Sequence, residues 1–141
     1  MRIKPHCADF KLPTKGTKGA GAFDIYMPES GAISGSVPRK IHLGFSAEIP
    51  EGHVAILLPR SGAGANFGVE LNNTVGILDS DYRGEWMAAL RTKNEDYFSW
   101  ERGERILQFM IVPIANVELE LCYELSETER GAGGFGSSGK L

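Results

Sequence analysis

Apolar residues recur with a period of two along much of this chain. "IHLGFSAEI" puts Ile41, Leu43, Phe45, Ala47 and Ile49 on one face. "VELELCYEL" does the same with Val117, Leu119, Leu121, Tyr123 and Leu125, while Glu118, Glu120 and Glu124 face the other way. Successive side chains of a strand point to opposite faces, so the pattern predicts half-buried strands. "HVAILLP" and "RILQFMIVPI" are denser apolar runs, as expected of strands covered on both faces. Turn residues break in at short intervals, in "MPESGAISGSVP", "IPEG", "LNNT" and "DSDYRGE". With 18 glycines and 7 prolines there is little room for long helices. A short helical piece after Ser61, in "SGAGANFG", is the one allowance. The expected fold is all-β, an antiparallel jelly-roll-like sandwich or barrel. The 141 residues suit a single domain. We assign it to residues 1–129, followed by a flexible Gly-rich C-terminal arm over residues 130–141.

Charge and cysteine usage narrow the partners. The formal net charge is −3 and the pI about 5.6, which argues against nucleic acid and anionic membranes. No run approaches the length of a membrane span. The N-terminal "CADFKLPTK" has no apolar segment of a secretion signal, so Cys7 and Cys122 read as free thiols of a cytoplasmic protein. His6, His42 and His53 show no zinc spacing.

Five polar clusters interrupt the strand pattern. "KGAGAFDIYMPES" sets Asp24 among apolar residues, where a carboxylate is paired or faces something cationic. "LPRSGAG" offers the forked donor of Arg60, the hydroxyl of Ser61 and exposed amides around Gly62, a set suited to phosphate oxygens. "NNTVGILDSDYRGE" places Asp79 and Tyr82 three apart in a turn, close enough to address one small ligand. A carboxylate there can orient and deprotonate a water. "ERGERILQFMIVP" buries Gln108 in an apolar strand, where its amide needs partners. The tail, "RGAGGFGSSGKL", contains "GAGGFG" and "GFGSSGK", near-matches to two nucleotide-binding motifs. Both motifs need a following helix, and Leu141 stands where a P-loop has Ser or Thr. What survives is an anion wrap made of amides, Arg130, Ser137 and Ser138. Phe135 is the large apolar residue of that tail.

Read in order, "GAFDIY", "PRSG", "NTVGILDSDYRGE", "GERILQF" and "RGAGGFGSSG" resemble the five motifs of the trimeric deoxyuridine triphosphate nucleotidohydrolases, the dUTPases. The resemblance runs from about Gly19 to Gly139. It implies an antiparallel jelly roll and a homotrimer whose three active sites each draw on three subunits. It implies hydrolysis of dUTP to dUMP and pyrophosphate, with Mg2+ on the phosphates. That reaction supplies dUMP for thymidylate synthesis and keeps uracil out of DNA. Position by position, the resemblance gives Asp79 the activation of the attacking water and Tyr82 the packing against deoxyribose. Asn73 and the backbone of Gly76, Ile77 and Leu78 form a hairpin that pairs with uracil, and Met87 lines the same pocket. Arg60, Ser61 and Gly62 bind phosphates, and Gln108 holds phosphate or water. Asp24 acts on the metal through water, or pairs with an arginine. Arg130, Gly136, Ser137 and Ser138 wrap the γ-phosphate while Phe135 stacks on the base. Ala22, Leu107 and Ser138 depart from the usual Gly, Ala and Thr, and none of the three removes a catalytic group. The alternatives are a dCTP deaminase-like enzyme and a regulatory binding protein on the same scaffold.

Overall fold

The computed structural model describes residues 1–93 and 96–135. Its elements in chain order are β1 (Arg2–Pro5), β2 (Phe23–Ile25), β3 (Gly31–Ser34), β4 (Arg39–His42), β5 (Phe45–Glu48), β6 (His53–Pro59), α1 (Ser61–Phe67), β7 (Val69–Leu71), β8 (Gly76–Leu78), β9 (Met87–Thr92), β10 (Tyr97–Trp100) and β11 (Leu107–Pro113). All ladders are antiparallel. Four strands run in the order β2-β11-β6-β8, three in the order β4-β9-β7, and β1-β5 and β10-β3 form two-stranded pieces. This is the jelly-roll-like β-sandwich that the alternation predicts.

The "IHLGFSAEI" stripe is buried as expected: Leu43, Phe45, Ala47 and Ile49 all lie in the core. It is not one strand, however. Gly44 sits at φ 77°, a left-handed conformation that costs little only without a Cβ, and a Cβ there would stand 2.9 Å from the Cys7 thiol. The break sends β4 to pair with β9 and β5 to pair with β1. Trp86 closes the core behind it, its ring 4.9 Å from Phe45 and 5.1 Å from Phe109. Phe45 and Phe109, fully buried, each contribute about 1.5–3 kcal/mol. The short helix after Arg60 is α1. It ends where Gly68, at φ 63°, donates its amide back to the Gly64 carbonyl at 3.1 Å.

The register of the four-stranded sheet separates its two faces. Phe23, Phe109, Leu57 and Gly76 lie abreast on the core side. Asp24, Gln108 and Leu58 lie abreast on the other side, followed by Met110, Ile56 and Ile77. That second face is apolar away from Asp24 and only half covered: Ile77 is 60% exposed, and Val54, Ile56, Leu58, Met110 and Val112 are partly open.

Two expectations need correction. The alternating stretch 117–125 forms no strand. Leu119 and Tyr123 are each 98% exposed, and Glu118, Glu120 and Glu124 are exposed beside them. A strand exists only where another edge supplies hydrogen bonds, and no edge among the described residues pairs with that segment. Residues 71–78 are not a paired hairpin either. β7 pairs with β9 and β8 with β6, so the 72–75 turn carries the chain from one sheet to the other. Among the described residues, no helix is long and apolar enough to cross a membrane.

Candidate functional site

Three of the polar clusters meet at one corner of the four-stranded sheet. β11 brings Gln108 directly opposite Asp24 on β2 and Leu58 on β6, two residues before Arg60. Asp24 is only 6% exposed, and a buried carboxylate must be compensated. Arg60 Nε approaches its Oδ1 at 3.0 Å and Arg105 Nη1 its Oδ2 at 3.2 Å. Arg60 also donates from Nη1 to the Arg105 carbonyl at 2.9 Å. Gln108 Nε2 donates to the Pro59 carbonyl at 3.2 Å, which leaves its amide oxygen available. Just past Arg60, α1 opens with no side chain capping its first amides and no acidic residue in its first turn. Ser61 and Gly62 are exposed there. A cavity of about 550 Å³ runs along this corner between Arg60, Gly62, Arg105 and Phe67. Guanidinium donors, a free hydroxyl and open amides make it receptive to anions.

A second cluster lies around the turn that joins the sheets. Asn73 Nδ2 donates to the Val75 carbonyl at 3.0 Å, and Thr74 at φ 67° is one of two non-glycine residues in the left-handed region among those described. A pocket of about 230 Å³ is lined by Asn73, Gly76, Met87, Leu57, Leu71 and Lys40, which unites three of the residues expected to meet the base. The next turn is closed by the Tyr82 amide on the Asp79 carbonyl at 3.2 Å, and the Tyr82 hydroxyl donates to the Glu85 carbonyl at 3.0 Å. The Asp79 carboxylate is exposed, Ile77 is exposed and Leu78 is buried.

The two clusters do not share a centre within one chain. β8 runs antiparallel to β6 with Leu78 opposite Ala55, so Asp79 follows at the end of β6 away from Arg60. From Ala55 to Arg60 is roughly 16 Å of strand at about 3.3 Å per residue, and Asp79 lies beyond that again. The two side chains cannot reach one phosphorus.

The arm forms a third, separate piece. Arg130 Nε bonds the Gly133 carbonyl at 3.0 Å, in a local turn. Phe135 has no cover at all. Gly136, Ser137 and Ser138 lie outside the described residues. No group of three or more His, Cys, Asp or Glu among the described residues could hold a metal ion. Sequence reading missed Arg105. It sits in "GERILQF" between Gly103 and Gln108, and nothing local to that loop marks it as a second partner of Asp24.

A family model described as dUTPase matches residues 8–139. The deoxyuridine 5'-triphosphate nucleotidohydrolase of Haemophilus influenzae is 38% identical over 135 residues, covering 94% of this chain and 89% of that protein. The enzyme of the same name from Serratia proteamaculans is 40% identical over 136 residues, covering 94% and 89%. Among solved structures, the Staphylococcus bacteriophage 80alpha dUTPase with dUpNHpp superposes with a TM-score of 0.87 at 26% identity, over 98% of this chain and 97% of that one.

Proposed function

The chain belongs to the dUTPase family, and from that membership we propose that it hydrolyses dUTP to dUMP and pyrophosphate at sites shared between copies of itself. The observation that carries this reading is the convergence of Asp24, Arg60 and Gln108 on one anion-receptive corner, with Asp79 held far from it in the same chain. A neighbour's Asp79 turn completes the site that one chain leaves open. Two unpartnered surfaces support such an assembly. One is the half-open apolar face of β6 and β11; the other is the exposed alternating segment 117–125. We read the assembly as a homotrimer.

In that site Arg60, Ser61 and Gly62 hold the phosphates and Gln108 steadies the phosphate or the water. Asp79 orients the water and takes its proton as the oxygen attacks the α-phosphorus, and pyrophosphate leaves. Asp24 keeps free lone pairs on both oxygens beyond the two arginines, so it can accept hydrogen bonds from metal-bound water. Asp24 would hold a Mg2+ brought in with the triphosphate only through its water, and such an ion would supply charge neutralisation at the phosphates. The pocket of Asn73, Gly76, Ile77, Leu78 and Met87 receives uracil. Its fixed donors and acceptors are mispaired by cytosine. Residues 130–141 form the closing arm: Arg130, Gly136, Ser137 and Ser138 engage the γ-phosphate and Phe135 stacks on the base. Stacking of this kind contributes about 1–3 kcal/mol per base.

A pyrophosphate-release assay across dUTP, dTTP, dCTP and UTP tests the reading. Turnover of dUTP alone is the expected result, and ammonia released from dCTP would replace the reading with a deaminase. Tyr82 offers a sharper check on sugar selection. Its ring folds over Gly84 so closely that an added Cβ would stand 2.6 Å from the ring Cζ. That contact is with the free end of an exposed side chain, which can swing aside, so Tyr82→Ala, which removes the ring outright, is the direct test. The ratio of kcat/KM for dUTP over UTP is expected to narrow by about tenfold or more as the wall against a 2′-hydroxyl is lost. An unchanged ratio removes Tyr82 from sugar selection.

A further inference from the structure

We infer that Arg105 is a positioning residue for the phosphate-binding Arg60, acting through Asp24 and braced by Tyr26. The inference rests on the phosphate role proposed above for Arg60 and adds what holds that side chain in place. Asp24 gives one oxygen to each arginine, at 3.0 and 3.2 Å, so neither guanidinium can swing without leaving a buried carboxylate half compensated. Arg60 is fixed at a second point by the Arg105 carbonyl. Of the three nitrogens of Arg60, Nε faces Asp24 and Nη1 donates to the Arg105 carbonyl. The N–H groups of Nη2 have no partner among the described residues and stay open to phosphate oxygens.

Arg105 is itself braced. Its guanidinium lies over the Tyr26 ring at 5.8 Å, and the Tyr26 hydroxyl shares a 2.8 Å hydrogen bond with Thr14. Thr14 is tied to Asp24 by two backbone bonds, of 2.7 and 3.2 Å. The network thus closes on itself: Thr14, Tyr26, Arg105, Asp24 and back to Thr14. A flat guanidinium suits both the ring face and the carboxylate, which an ammonium does not. Without Arg105, the second oxygen of Asp24 would draw Nη2 of Arg60 to itself and away from the phosphates.

A double-mutant cycle on the full-length protein tests this, with dUTP hydrolysis and dUpNHpp binding as readouts. Arg105→Gln is expected to lower kcat/KM by about 10- to 100-fold, the size of a lost charge-assisted bond, with most of the change in KM. Arg105→Lys recovers part of it. In an Arg60→Ala background the same Arg105→Gln change is expected to cost little further, because its target is gone. If the two losses multiply in full, Arg105 acts on substrate independently and the inference fails. If Arg105→Gln alone changes kcat/KM less than threefold, it also fails. Tyr26→Leu keeps the ion pair and removes the brace, so it covers the case in which Arg105→Gln does not fold. It must shift KM in the same direction and lose that effect in the Arg60→Ala background. Near-normal kcat/KM in Arg60→Ala alone would overturn the underlying phosphate role, which separates that failure from this one.

Discussion

Asp79→Asn is expected to bind dUTP nearly as well as the parent protein and to turn it over about 100- to 10,000-fold more slowly, the range of a lost general base. The substitution is nearly isosteric. It keeps an acceptor toward the water and removes only the capacity to take a proton. The surrounding fold does not depend on the carboxylate. The turn is closed by the Asp79 main-chain carbonyl, and the side chain is exposed with no bonding partner among the described residues. Stability is therefore expected to change by no more than about 0.5 kcal/mol. Titration with dUpNHpp reports binding without turnover, and pyrophosphate release reports kcat. Turnover within threefold of the parent would take Asp79 out of the chemistry.

Much of this was legible in the sequence because local rules and tertiary structure agree. β6 and β11 were marked by dense apolar runs, and α1 by the small residues after Ser61. The "IHLGFSAEI" stripe was right about burial and wrong about continuity, since alternation is blind to a glycine that bends the chain between two sheets. The turn at Asn73 was misread for a related reason. Two short strands around an "NNT" turn look like a hairpin, and only partner choice in space, β9 for β7 and β6 for β8, decides otherwise. Arg105 escaped because a single arginine in a charged loop carries no pattern. Its meaning comes from the Asp24 carboxylate 81 positions away. The segment 117–125 has the most regular strand pattern in the chain and no strand in the structure, because a period-two face states what a segment requires and not which molecule supplies it.

The separation of Asp79 from Arg60 leads to the most decisive expectation. Arg60→Ala and Asp79→Asn proteins are each expected to be nearly inactive, and unfolding and refolding them together at equal concentration is expected to restore activity. A site that takes its carboxylate from one copy and its arginine from the next is intact only when the first copy carries Arg60→Ala and the second Asp79→Asn. Random mixing in a closed ring makes about one site in four intact. Recovery near a quarter of the parent rate therefore reports a site built across the interface. The geometry allows no such recovery if both residues serve from one chain, since every copy then lacks one of them. A mixture as inactive as its components, in a sample that sediments as a trimer, would end the shared-site reading. It would also require a route by which a carboxylate past Leu78 reaches a phosphate held beyond Pro59, which the antiparallel register of β6 and β8 forbids.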